Sequence, residues 1–289
     1  MSKPKILIQL DSDPQASVFD AVVAIDAEVD HLLQYHNVEP TAVRDLVHGA
    51  IFTRGPQDLH NTAVFVGGSD VAAGEALLAQ VTHCFFGPMR VSVMLDANGA
   101  NTTAAAAVLA AAKHVPLRGA TALVLAGTGP VGQRAARLLA GEGAQVRLAS
   151  RTRDRAAEVC EAIAKHVPGT ALTPVQVVTH DDTIAALADA QIVIAAGAAG
   201  VELLAAEIRQ RVASLKVVID LNAVPPLGIG GVEVMDKAQE RGGVMCYGAI
   251  GVGGTKMKIH KAAIRKLFER NDLVLDAEQI FALGRELGL

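Results

Sequence analysis

The chain has 289 residues and no tryptophan; two tyrosines and seven phenylalanines bring aromatic residues to 3%. Its core must therefore be aliphatic, and a hydrophobic fraction of 51% is ample for one. Cysteine is scarce. Cys84, Cys160 and Cys246 stand far apart, without metal-ligand spacing, so no metal centre is expected. Cys84 and Cys160 read as small core residues in a reducing cytosol. Charge is nearly balanced at −4, which argues against a nucleic-acid or membrane surface as partner. Long apolar runs are missing too. The Ala-rich stretch Ala104–Ala112 is far below the roughly 18 residues a membrane span needs. The opening MSKPKILIQLD shows neither a long apolar segment nor a cleavage signature, and a cytoplasmic location is expected.

What the chain does have is a glycine signature in a specific setting. Ala122–Ala126 is a short apolar run bounded by glycine and reads as a buried strand. Gly127-Thr128-Gly129-Pro130-Val131-Gly132 follows at once and fits G-x-G-x-x-G. Gln133–Ala140 carries helical spacing, Gly141 and Gly143 stop it, and Gln145–Ala149 makes a second strand. Strand, glycine turn and helix in that order form a dinucleotide site. Gly127 is expected to permit the tight turn, Gly129 to let the backbone approach a pyrophosphate, and Gly132 to let helix and strand pack closely. The free N–H groups of the helix start then face the phosphates.

The end of the second strand indicates which dinucleotide. An NAD site places an acid about 20 residues past the first glycine to bind the ribose hydroxyls. Here stands Ser150-Arg151-Thr152-Arg153-Asp154-Arg155. Ser150 can donate to a phosphate oxygen, Arg151 can grip it through two parallel N–H groups, and Arg155 adds charge one turn on. Arg153 is expected to face outward. The cofactor read from this pattern is NADP.

Strand and helix patterns alternate along the chain, so the expected fold is α/β with parallel sheets in two domains. Lys5–Leu10, His31–Tyr35, Ala63–Val66 and Val91–Leu95 read as strands of the first. Its helices open at Ser17, with Val18, Val22, Ile25 and Val29 on one face, at Thr41, at Asp70 and near Asn101. Pro116–Gly119 is the joint. Val175–Val178, Ile192–Ala195, Val217–Leu221 and Val244–Tyr247 continue the second, Rossmann-type domain. The expected division is 1–115 plus 255–289 against 116–254, with the C-terminal helix returning to the first domain. Ligands of open α/β sheets lie beyond the C-terminal strand ends. That adds Ala196, Gly197, Asn222 and Gly248 to the cofactor residues.

A second group of residues points to a substrate. Lys256 and His260 are spaced i, i+4 on the face that carries Ala263 and Leu267. They are expected in the first turn of a helix, where the dipole disfavours cations. Such a pair suggests a ligand site in the cleft between domains, although His260 reads equally as a core histidine. Asp20, three residues after Ser17, is either half of a capping box or a site carboxylate. Asp96-Ala97-Asn98-Gly99-Ala100-Asn101-Thr102-Thr103 holds more polar residues than capping requires.

Together these residues carry a resemblance. Ile8–Asp11, Ser17–Asp20, Ile51–Gly55, Val64–Gly68, Phe86–Pro88, Met94–Thr103, Leu125–Gly132, Asn222–Gly231 and Gly248–His260 span essentially the whole chain. The chain resembles the bacterial methylene-tetrahydromethanopterin/methylene-tetrahydrofolate dehydrogenases of one-carbon metabolism. The resemblance implies an NADP-linked, two-domain, homo-oligomeric enzyme, a trimer or a multiple of one, with a reduced pterin between its domains. It places Asp20, Asn98, Lys256 and His260 near the pterin, with Phe19, Asp96 and Thr102 as further binding residues. A carboxylate, Asp20 or Asp96, would favour a developing cation, and Lys256 and His260 would fix the pterin's polar edge. Related bifunctional folate enzymes use a Tyr-x-x-x-Lys pair for a cyclohydrolase step. Here Tyr35 and Tyr247 are followed at that spacing by Glu39 and Gly251, so no such activity is expected. Other readings of the same pattern are a pterin reductase, a shikimate-type dehydrogenase and a non-enzymatic NADPH sensor.

Overall fold

The computed structural model describes residues 3–289. By contact density the chain divides into two compact units. Unit 1 comprises the described residues up to Thr102 together with Met257–Glu286, and unit 2 comprises Thr103–Lys256 with Leu287–Leu289.

Unit 1 is built from β1 (Ile6–Asp11), α1 (Val18–Asp26), β2 (His31–Tyr35), α2 (Pro40–Phe52), β3 (Thr62–Gly67), α3 (Val71–His83), β4 (Ser92–Leu95) and the start of α4 (Ala100–Ala112). Unit 2 continues with β5 (Thr121–Leu125), α5 (Pro130–Gly141), β6 (Gln145–Ser150), α6 (Arg153–His166), β7 (Ala171–Gln176), α7 (His180–Ala186), β8 (Ile192–Ala195), α8 (Ala206–Arg209), β9 (Val217–Asp220), β10 (Lys237–Arg241) and β11 (Val244–Tyr247). The long helix α9 (Ala249–Lys266) begins in unit 2 and ends in unit 1, which β12 (Val274–Leu275) and α10 (Ala277–Glu286) complete.

Among the described residues the sheet of unit 1 has the order β12-β4-β3-β1-β2 and is parallel throughout. β3 is buried at every position, as a central parallel strand covered on both faces must be. β2, at the sheet edge beside β1, is largely exposed. Leu10, Val47, Ile51, Leu77 and Leu95 centre the core. The sheet of unit 2 has the order β10-β11-β9-β8-β5-β6-β7, parallel except for the β10–β11 hairpin. That is an α/β architecture with parallel sheets in two units, as the alternating pattern predicts.

Several local expectations change. Val18, Val22 and Ile25 do share a face of α1, but they are 75, 55 and 58% exposed; Val23 and Ala24 face the core. Val29 lies beyond the helix end. The strand expected at Val175–Val178 is β7, which starts at Ala171 and carries Pro174 at the sheet edge, where a missing N–H is tolerated. Most consequential is α9, which starts at Ala249. Lys256 and His260 therefore stand in its middle turns, not its first, and no unfavourable dipole acts on them. Gly248 and Gly251 explain the early start. A Cβ on Gly248 would come within 2.1 Å of the Glu233 carbonyl oxygen, and one on Gly251 within 1.8 Å of that of Asp236. The helix begins where only glycine can pass this close to another backbone.

Candidate functional site

The candidate cofactor site lies at the C-terminal strand ends of unit 2. β5 runs into the glycine turn, and Pro130 opens α5 at a position where a missing N–H costs nothing. The positive φ of the turn falls on Ala126, at +52°, rather than on Gly127. Gly127 is required for another reason: a Cβ there would meet Leu148 Cγ at 2.8 Å. Gly132 has the expected packing role. Its Cβ would lie 2.8 Å from Gly127 Cα, so any side chain would lift α5 off the strand. Gly129 differs from both. The nearest atoms to a Cβ there are carbonyl oxygens at 3.6 and 3.7 Å, ordinary contact distances. The protein itself does not demand glycine at 129, and the space it leaves opens into a cavity of about 320 Å³.

Thr128, Gly129, Ser150, Arg151, Arg155, Ala196 and Gly197 line that cavity, joined by Val177, Val201 and Leu203, which the sequence did not single out. Ser150 is buried, and the two arginines are exposed side chains at the cavity edge. Arg153 is exposed and is not part of the lining. Gly127, Pro130, Val131 and Gly132 form the turn and the helix start behind the lining. Asn222 is engaged within its own loop. Its side chain donates to the Pro226 carbonyl at 3.2 Å and accepts from the Val224 N–H at 2.9 Å. Gly248 serves the backbone crossing described above. Neither residue lines the cavity.

Unit 1 gathers the other candidates at its own C-terminal strand ends. Asp11 closes β1, Gly67 closes β3, and Asp96 follows β4. Asp96 is buried and accepts from the Thr102 N–H at 3.0 Å and the Thr102 hydroxyl at 2.6 Å. Its Oδ2 lies 3.8 Å from Nδ1 of His260, itself fully buried. The His260 ring stacks on Phe65 at 5.6 Å and 20°, and the Phe19 ring stands 6.4 Å from it. Phe19 is half exposed.

Ser17 caps α1 by accepting from the Asp20 N–H at 3.2 Å. Its own N–H donates to Asp11 Oδ2 at 3.0 Å instead of to Asp20. The reciprocal half of a capping box is thus taken by Asp11. The Asp20 carboxylate reaches Gly67, whose missing Cβ would stand 3.4 Å from both Asp20 Oδ2 and Asp11 Oδ2 and 3.1 Å from the Phe65 ring. A contact chain therefore links Asp20, Gly67, Phe65, His260 and Asp96. Asp11, missed from sequence, is its anchor; its only signal was a strand-ending acid beside a proline-containing loop.

Asn98 is exposed and left-handed at φ +55°, with its N–H donating to the Gly68 carbonyl at 2.6 Å. Asn101, in the same polar cluster, is structural: its side chain donates to the Leu95 carbonyl at 2.7 Å and to Asp276 at 2.9 Å. Lys256 is half-buried, one residue before α9 passes from unit 2 to unit 1.

Comparison with known proteins adds the following. The family model of the methylene-tetrahydromethanopterin dehydrogenase N-terminal domain matches residues 18–98, and that of shikimate/quinate 5-dehydrogenase matches residues 109–232. The chain is 47% identical to the bifunctional protein MdtA of Methylorubrum extorquens, over 99% of this chain and 100% of that one. It is 32% identical to the NAD(P)-dependent methylenetetrahydromethanopterin dehydrogenase of the same organism, over 94% of each. Among solved structures it is similar in fold to the shikimate 5-dehydrogenase of Listeria monocytogenes, with TM-score 0.55, 13% identity, and coverage of 99% of this chain and 96% of that one. The shikimate 5-dehydrogenase of Mycobacterium fortuitum gives TM-score 0.54 at 14% identity, over 98% of each chain.

Proposed function

The chain belongs to the methylene-tetrahydromethanopterin dehydrogenase family, and we propose that it transfers hydride reversibly between a methylene-tetrahydropterin and NADP, yielding the methenyl-pterin cation. The pterin is tetrahydromethanopterin, tetrahydrofolate or both, and the setting is cytoplasmic one-carbon metabolism. The observation that carries the cofactor half is Gly129. Its missing side chain serves no protein contact, and it opens into a cavity edged by Ser150, Arg151 and Arg155. Backbone approach at the glycine suits a pyrophosphate, and a serine with two arginines suits a 2′-phosphate. NADP, when bound, supplies the hydride acceptor.

The residues of unit 1 fit the remaining task. The methylene carbon bridges two nitrogens, and loss of hydride leaves a cation delocalised over both. No proton leaves the reacting carbon, so no strong general base is needed. The protein must bind, orient and exclude water, which can supply several kcal/mol. Half-exposed Phe19 offers a ring to the flat pterin. Asp20 presents a carboxylate toward the developing positive charge. Asp96, Thr102, His260 and Phe65 form the buried floor on which those groups rest. Lys256, the last residue of α9 in unit 2, and Asn98, exposed after β4, contact the pterin's polar edge; His260, expected there as well, is fully buried and serves the floor instead. Without a Tyr-x-x-x-Lys pair, the methenyl product leaves unhydrolysed. The exposed stripe Val18, Val22 and Ile25 supports a homo-oligomer.

The test is NADP reduction in the near ultraviolet with each methylene-pterin offered separately and NAD run in parallel. Turnover with a pterin and NADP, and little with NAD, is expected. No turnover with either pterin would overturn the proposal, and rapid hydrolysis of the methenyl product by pure protein would overturn its last step.

A further inference from the structure

A carboxylate outside the cofactor cavity holds one wall of it. Asp220 closes β9 and is fully buried. Its Oδ1 accepts from the Asn222 N–H at 3.0 Å and its Oδ2 from the Ile229 N–H at 2.8 Å. Burial pushes its carboxyl above the ordinary value, while N–H donors of Asn222, Ile229 and Gly228 oppose that rise. A Cβ on Gly228 would lie 2.8 Å from Asp220 Oδ1, so the loop approaches this closely only as glycine. On its other side the Gly228 carbonyl accepts the N–H groups of Leu203, at 2.8 Å, and Leu204, at 3.1 Å. The Gly230 N–H returns to the Leu204 carbonyl at 2.8 Å. Leu203 lies over Gly197, where a Cβ would come within 2.7 Å of Leu203 Cδ1, and both line the cavity. Hydrogen bonds thus run unbroken from the carboxylate through Gly228 to the cavity wall.

We infer that Asp220 is a positioning residue for the nicotinamide half of the dinucleotide, acting through Gly228 on the Leu203 wall. The inference rests on the dinucleotide reading above. Its direction follows from the strand order, in which β6 and β8 flank β5 on opposite sides. Ser150 and Arg151, at and just past the end of β6, take the adenosine 2′-phosphate. The nicotinamide half then falls on the β8 side, where Gly197 and Leu203 stand.

This separates a positioning role from a merely structural one. NADPH spans both halves of the cavity, whereas adenosine 2′,5′-bisphosphate occupies the β6 half alone. Calorimetric titration of the full chain with each ligand, well below the melting temperature, reads the difference. In Asp220→Asn the Kd for NADPH is expected to rise about tenfold, the consequence of misplacing a buried acceptor. The Kd for adenosine 2′,5′-bisphosphate stays within about twofold. Gly228→Ala keeps the carboxylate but displaces the loop from it, and the same split is expected there. Equal weakening of both ligands, or unchanged NADPH affinity, in either folded variant overturns the inference. If the wild-type chain binds neither ligand, the dinucleotide reading itself falls, and the inference with it.

Discussion

Replacing Arg151 by alanine tests the cofactor assignment at its most specific point. The side chain lies just past β6, lines the cavity with Ser150 and Arg155, and is solvent-exposed. A hydrogen bond to a charged group contributes about 1.5–3 kcal/mol. Exposure and screening draw the figure to the lower end, about 1.5 kcal/mol, or close to tenfold in affinity. Arg151→Ala is therefore expected to raise the KM for NADP about tenfold. NAD lacks the phosphate, and its weak use should stay within about twofold. Because the contact is exposed, the wild-type preference should itself shrink as salt shortens the Debye length from about 10 Å at 0.1 M to about 3 Å at 1 M. Steady-state kinetics with both cofactors at two ionic strengths measure all of this. Arg153→Ala is the internal control, since Arg153 carries the same charge two residues on but does not line the cavity. A loss shared equally by NAD and NADP, or one as large in Arg153→Ala, would refute the phosphate reading.

Three further outcomes are expected. Gly132→Ala forces its new Cβ to within 2.8 Å of Gly127 Cα, so α5 must lift; a loss of about 1–3 kcal/mol in thermal unfolding should accompany lost NADPH binding. Asp96→Asn puts an amide where Thr102 donates from both its N–H and its hydroxyl; denaturant melts should show about 2–4 kcal/mol of destabilisation, and the pterin KM should rise more than that for NADP. In Asp236 burial works against the charge, but Arg241 at 2.7 Å and the Glu233 N–H outweigh it and hold the carboxyl below its ordinary value. A depressed folded pKa gives stability that is present above the unfolded value and lost as pH falls through the folded one. Melts between neutral and strongly acid pH should therefore fall less steeply for Asp236→Asn than for wild type, and parallel curves would exclude the linkage.

Much of the fold was legible because its signals are local. The strand–glycine–helix run from β5 to α5 and the buried run of β3 announce themselves within a few residues, where backbone sterics and hydrophobic period dominate. The short strands β10 and β12 were not legible. β12 has only two residues, and β10 is an exposed, mostly polar stretch with no apolar period; both exist through their partners, β4 and β11. The start of α9 was misplaced because the glycines at 248 and 251 look like loop residues in sequence. In the structure they are spacers for backbone passing at 233–236. Likewise Ser17-x-x-Asp20 has the spacing of a capping box, and only the fold reveals that Asp11, six residues upstream, takes the Ser17 N–H.

By itself, then, the sequence determined the alternation of strands and helices, the dinucleotide turn and the basic residues that follow its second strand. Each is fixed by residues adjacent in the chain. The tertiary structure decided which glycine is left open to a ligand, Gly129, and which two are filled by the protein's own atoms, Gly127 and Gly132. It also decided that Asp11 and Asp220 are anchors. Those roles depend on which backbone N–H groups a buried carboxylate meets after the sheets form, and a buried charge is tolerated only where such donors converge.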